Sequence, residues 1–209
     1  MMINITTFLI AFSLSQDIKE SFDINELKDL SYGIPIGTLS GAIISPLDNI
    51  IREWVQGKDS EKMGKILSIP GEGIFVVPLC ISGYIGGIVL KNQRIRTTFL
   101  RASISLGLTT ISVQILKFIG RHRPYDSPEN QWKFSPPGIE NRTRSFPSGH
   151  SQASASVYFT LSRICEDMIC KAFFISVPFV VAFGRVASNN HWASDTVGGI
   201  IIGSSFELF

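Results

Sequence analysis

The chain has 209 residues, one full domain with some excess. Only 17% are charged, below the ~25% usual in soluble domains, and mean hydropathy is +0.24; with 44% hydrophobic residues this excludes a disordered chain, a coiled coil and a collagen-like fibre. Nineteen basic against seventeen acidic residues give a formal charge of +2, too even for bulk nucleic-acid binding, so no nucleic-acid partner is expected.

In chain order, Ile3 to Leu14 is a short apolar stretch that ends Ser13-Leu14-Ser15-Gln16. Small residues at alternate positions read as a signal-peptidase site after Ser15, although no Lys or Arg precedes the stretch. Residues 1–15 are therefore expected to be a signal peptide or an N-terminal apolar segment packed on the domain. Asp17 to Asp29 carries five acids and two lysines and reads as a solvated linker or short surface helix. Residues 16–68 as a whole read as linker and peripheral helices, ahead of a catalytic helical domain at 69–209.

Apolar segments follow at Ile34–Leu47, Ile69–Leu90, Phe99–Ile119, Pro147–Ile164, Ala172–Phe183 and His191–Phe206. A membrane-spanning helix needs about 20 apolar residues. Ile69–Leu90, with 22 residues and Glu72 as its only charge, meets this plainly; the others fit a span or a core helix equally well. No alternating run argues for a sheet, and no repeat is visible. The expected fold is all-α, a membrane-embedded bundle of about five to six helices with its site at one end. Cys80, Cys165 and Cys170 form no C-x-x-C pair and are too few for a disulfide framework, so all three read as buried apolar side chains.

Loop charge sets the orientation. Lys91, Arg94, Arg96 and Arg101 lie between the long segments with no acid among them, which makes that loop cytoplasmic. Alternating crossings then put Arg121–Phe146 and Arg185–Asp195 together on the extracytoplasmic side.

Three polar clusters fall at those outer ends: Lys117-Phe-Ile-Gly-Arg121-His122-Arg123-Pro124, Arg144-Ser-Phe-Pro147-Ser148-Gly149-His150-Ser151, and Gly184-Arg185 through His191-Trp192-Ala-Ser-Asp195. Singly, each has a bland reading as a snorkelling helix end, a turn and cap, or a helix pair. Together they describe a phosphate site. Arg123 and Arg185 offer bidentate hydrogen bonds to phosphoryl oxygens. Ser148 and Gly149 precede a helix, so a hydroxyl and backbone N–H groups meet the anion at its positive end. His191 and Asp195 share one helical face; the carboxylate fixes the tautomer and leaves the other ring nitrogen free to attack. His150 stands ready as general acid for the leaving oxygen. There is no metal-ligand spacing and no P-loop, so neither metal nor cofactor is expected. His122 reads as a surface residue.

At these residues the sequence resembles the superfamily of type 2 phosphatidic acid phosphatases, bacterial acid phosphatases and vanadium haloperoxidases. The second block is complete as Pro147-Ser148-Gly149-His150. The third is complete as Arg185, five residues, His191, three residues, Asp195, and continues Trp192-Ala-Ser-Asp195-Thr-Val-Gly198. In the first block five residues separate Lys117 from Arg123, one fewer than the family pattern, which either shortens the helix or turns Lys117 away, with Arg121 supplying the missing charge.

The resemblance implies a metal-free phosphatase with no cofactor. His191 forms a phosphohistidine, Asp195 orients it and His150 is the general acid. Lys117, Arg123, Ser148, Gly149 and Arg185 hold the phosphate. The expected substrate is a lipid phosphate or diphosphate at the outer membrane face. The alternatives are a periplasmic acid phosphatase acting on small soluble esters, a haloperoxidase using vanadate, and a non-enzymatic anion-binding membrane protein.

Overall fold

A computed structural model describes residues 5–208, with side chains from 13 to 207. The helices are α1 (Ile5–Ser21), α2 (Leu27–Ile44), α3 (Asp48–Val55), α4 (Ser60–Ser68), α5 (Gly73–Val89), α6 (Gln93–Leu116), α7 (Gly149–Leu161), α8 (Met168–Ala187), α9 (Ala193–Gly203) and α10 (Ser205–Leu208). Among the described residues the only β pairing is an isolated bridge between Arg121 and Phe134. The fold is all-α.

Local chemistry places the helix starts. Asn92 Oδ1 accepts from Ile95 N at 3.1 Å ahead of α6, and Asp167 Oδ1 accepts from Cys170 N at 2.8 Å ahead of α8. Each such cap is worth about 1 kcal/mol. The central helix is α7, which packs against α6, α8 and α9. It can sit there because Ser151, Ala153, Ser154, Ala155 and Ser156 are small enough for neighbouring backbones to approach. A Cβ added to Gly199 would lie 2.5 Å from the Ser148 carbonyl, so α9 meets α7 backbone to backbone just where the Pro-Ser-Gly-His block begins.

Polarity is inverted relative to a soluble protein. Thr109, Gln152 and Ser156 are buried between α6 and α7, with Gln152 Nε2 donating to Thr109 Oγ1 at 2.6 Å, while Ile74, Ile85, Val89, Ile111, Ile115, Phe173 and Phe179 are exposed. Four helical stretches are long and apolar enough to cross a membrane: Ser13–Val55, Ser60–Val89, Gln93–Ile119 and Met168–Ala187. The expectation that only Ile69–Leu90 plainly qualifies was too strict. Thr98, Ser105, Thr109 and Ser112 dilute the hydropathy of α6, yet all four are buried and leave its lipid-facing side apolar.

Other expectations change. Residues 1–4, and the side chains of the apolar stretch up to 12, lie outside those described. From Ile5, α1 runs through Ser15 without a break to Ser21. Asp17 is buried rather than solvated, paired with Arg96 at 2.6 Å and accepting from the Tyr84 hydroxyl at 2.8 Å. The stretch read as linker and peripheral helices instead contributes α2, which packs along α9, and α4, which packs along α8. Cys80 is buried and free, but Cys165 and Cys170 are joined as a disulfide across the turn into α8. Their five-residue separation matches no motif; the turn itself brings their Cα atoms to 5.6 Å.

Candidate active site

One end of the bundle gathers every side chain the sequence nominated. Lys117 lies just past α6, Arg123 in the long loop after it, Ser148 at the cap of α7 with Gly149 and His150 in its first turn, Arg185 in the last turn of α8 and Asp195 in the first turn of α9. His191 lies in the turn before the α9 cap Trp192, so the two do not share a helical face as the spacing had suggested. Ser148 N donates to the Asp195 carbonyl at 2.9 Å, which ties the second block to the third.

Lys117 faces the site in spite of the shortened spacing. Its Nζ donates to the carbonyls of Pro147 at 2.8 Å and Arg144 at 3.2 Å, and its side chain passes beside Gly149. The missing residue is absorbed after Lys117. The α-helix ends at Leu116, Lys117–Ile119 form a tighter 3-10 turn, and Gly120 reverses the chain at φ +77°. Gly is required there, since a Cβ would lie 2.1 Å from the Ser135 carbonyl as well.

The side chains gathered here are largely buried and short of partners. Arg123 Nη1 donates to Asn190 Oδ1 at 3.3 Å, but Arg123 Nε, Arg185 Nε and His191 Nδ1 have no hydrogen-bond partner among the described residues. Buried polar atoms are normally satisfied, so a cluster of unpartnered ones at one end of the bundle is unusual. Burial comes first, then the charges of Arg123, Arg185, Lys117 and His150, in holding the His191 ring well below the ordinary histidine range. A neutral ring is the form that can attack phosphorus.

Asp195 sits behind His191 at a Nδ1–Oδ2 distance of 3.5 Å, longer than a hydrogen bond. Its oxygens are already engaged: Oδ1 accepts from Arg121 Nη1 at 2.7 Å, and Oδ2 from Ser145 Oγ at 2.5 Å and Trp192 N at 2.9 Å. Arg121 therefore turns away from the phosphate groups and does not substitute for Lys117.

His122 is buried, contrary to the surface reading. Its Nδ1 lies 2.5 Å from Asp126 Oδ2 and its Nε2 2.5 Å from Ser135 Oγ. The hydrogen bond from His122 holds the Asp126 carboxyl below the usual carboxylate range. This Asp–His–Ser chain has the connectivity of a hydrolase triad, but Pro136 follows Ser135 and has no N–H to offer an oxyanion. The chain instead pins the long loop over Gly120. Asp48, Ser145, Asn190 and Trp192 were not nominated from sequence. Ser145, Asn190 and Trp192 adjoin the motif blocks; Asp48 had no local signal at all.

The fold and this end-of-bundle arrangement define a helical membrane protein with a buried cluster of cations and histidines at one end. The PAP2 superfamily model matches residues 98–209, and the chain belongs to that superfamily. A crystal structure described as the first transmembrane PAP2 type phosphatidylglycerolphosphate phosphatase, from Bacillus subtilis, shares the fold. It is 20% identical, with a TM-score of 0.65, over 85% of this chain and 92% of that one. No curated protein matches the chain.

Proposed function

We propose that the protein is a metal-independent phosphatase acting on a lipid phosphate or diphosphate at the extracytoplasmic face. The observation that carries this is the convergence of Lys117, Arg123 and Arg185 on two histidines, one of which, His150, lines a groove between α5, α6 and α7. That groove is lined by Val76, Val77, Leu106 and Thr110 and reaches Gly149 and His150, with a volume of about 260 Å³. It runs on along α5 and α6 past Cys80, Ile81 and Gly107. Such a groove suits an apolar chain whose head group rests among the cations.

In the proposed reaction Arg123, Arg185, Lys117, Ser148 Oγ and the Gly149 N–H bind the phosphoryl oxygens. The Nε2 lone pair of His191 forms the P–N bond as the P–O bond to the leaving group breaks, and His150 gives that oxygen its proton. His150 then takes a proton from water, whose oxygen attacks phosphorus, the P–N bond breaks and phosphate leaves. The incoming dianion offsets the three cations around His150, which is the condition for it to carry a proton. In this reading the cations Lys117, Arg123 and Arg185 supply the charge stabilisation.

Rapid-quench trapping of the acid-labile phosphoenzyme on EDTA-treated protein tests this reading. With an activated ester such as nitrophenyl phosphate, His150→Ala should still form the phosphoenzyme while losing turnover of alkyl phosphates, because the activated leaving group needs no proton. His191→Ala should form none. Trapping on His191→Ala but not on His150→Ala would reverse the two roles.

A further inference from the structure

Arg121 occupies a buried position between two carboxylates. Its Nη2 donates to Asp48 Oδ2 at 2.7 Å, and its Nη1 to Asp195 Oδ1 and Ser194 Oγ, each at 2.7 Å. Nε and Nη2 also donate to the Gln131 carbonyl at 3.1 and 3.0 Å, and the guanidinium lies over the Trp192 ring, 5.7 Å from its centroid. Asp48 accepts in turn from Ser194 N at 2.8 Å and Ser194 Oγ at 2.5 Å. The side chains of Asp48 and Asp195 are wholly buried and that of Arg121 is 5% exposed.

Such a cluster is a poor way to gain stability, because removing three charges from water offsets most of their attraction. Its position carries the meaning. It joins the start of α3, the long loop and the first turn of α9 directly behind His191. Asp48 also lies outside residues 98–209, the stretch that defines the superfamily match.

We propose that Arg121 and Asp48 are positioning residues for the phosphatase reaction, acting on His191 through Asp195. This rests on the reading of His191 as nucleophile. Arg121 claims Oδ1, so Oδ2, which also accepts from Ser145 Oγ and Trp192 N, is the carboxylate oxygen on the His191 side, 3.5 Å from Nδ1 and a short approach from a hydrogen bond when substrate binds. The ring then carries its proton on Nδ1, beside that oxygen, and presents the Nε2 lone pair to phosphorus. One cation shared by two carboxylates leaves the cluster one negative charge in excess, and that charge compensates the imidazolium character the ring acquires as the P–N bond forms. Asp48 draws on Arg121 from the far side, so Asp195 is held in place without being fully neutralised.

The chain has three histidines, so nitrogen-correlated NMR of uniformly ¹⁵N-histidine-labelled protein in detergent can report the His191 tautomer directly, with His191→Ala giving the assignment. The variants are Arg121→Lys, which keeps the charge but not the two-sided fork, and Asp48→Asn, which is nearly isosteric. Wild type should show the Nδ1–H tautomer. Each variant should show a mixture, with kcat for nitrophenyl phosphate down about 10–100-fold, the range found for partners behind metal-bound histidines. KM and inhibition by inorganic phosphate should stay within about twofold of wild type, since no phosphate-binding group is touched. An unchanged tautomer and kcat in either folded variant overturns the proposal. So does a loss of phosphate affinity equal to the loss of kcat, which would mean a collapsed site. If one variant fails to fold, the other decides. Phosphoenzyme that persists in His191→Ala would overturn the underlying reading instead, whatever the tautomer shows.

Discussion

At the scale of single residues, Lys117 shows how a motif defect can be repaired by backbone. Moving one residue along an α-helix turns a side chain by about 100°, enough to lose a ligand. Here the 3-10 turn at Lys117–Ile119 and the left-handed Gly120 take up the difference, and Lys117 Nζ is anchored on the Pro147 and Arg144 carbonyls. Lys117→Ala and Arg123→Ala should therefore cost kcat to a similar extent, about 10²–10³-fold each, as when one charge-stabilising donor is removed. Steady-state kinetics with nitrophenyl phosphate check this; near wild-type turnover in Lys117→Ala would show that its carbonyl contacts are structural only. Asp195 teaches a different lesson. The i,i+4 spacing suggested a helical pair with His191, yet His191 lies before the helix and its Nδ1 is 3.5 Å from Oδ2, and spacing could not reveal that Arg121, Ser145 and Trp192 N share the Asp195 oxygens.

At the scale of elements, α5 and α6 frame the way into the site. Gly107 on α6 lines the groove, and a Cβ added there would meet nothing within 4 Å. Gly107→Trp should thus be accommodated and should fill the groove without disturbing the cations. Turnover of a long-chain lipid phosphate in mixed micelles is expected to fall about tenfold or more, the order of a lost apolar contact of about 1–3 kcal/mol. Hydrolysis of nitrophenyl phosphate, which has no chain to seat, should be nearly unchanged. Equal loss with both substrates would place the lipid chain elsewhere. The polar side of α6 belongs to the same design: Thr109, facing Gln152 and Ser156, holds α6 and α7 in register through hydrogen bonds rather than apolar packing.

At the scale of the molecule, the site and the basic loop lie at opposite ends of the bundle. Lys91 in the α5–α6 turn, with Arg94, Arg96 and Arg101 along the start of α6, argues for a cytoplasmic turn and an extracytoplasmic site. The Cys165–Cys170 disulfide lies at the same end as that loop and argues for the reverse, because cytosolic thiols are kept reduced. Labelling of intact cells with a membrane-impermeant thiol reagent separates the two. Lys133→Cys, in the exposed loop over the site, should be labelled from outside, and Lys91→Cys should be protected until the membrane is opened. The opposite pattern would invert the protein and assign the disulfide to the oxidising side.

The sequence by itself determined the all-α class and nominated eight residues that the fold gathers at one end of the bundle, because both depend on local signals: hydropathy, Pro and Gly punctuation, and short-range spacing. Only the tertiary structure decided that residues 27–44 form a helix packed along α9, that Lys117 reaches the site, that His122 is buried, and that Asp48 closes a clamp on Arg121. Each of these depends on contacts between residues far apart in the chain. Asp48 and Asp195 are separated by most of the molecule, and no pattern within a window of sequence encodes a pairing made only when α3, the long loop and α9 close on the same point.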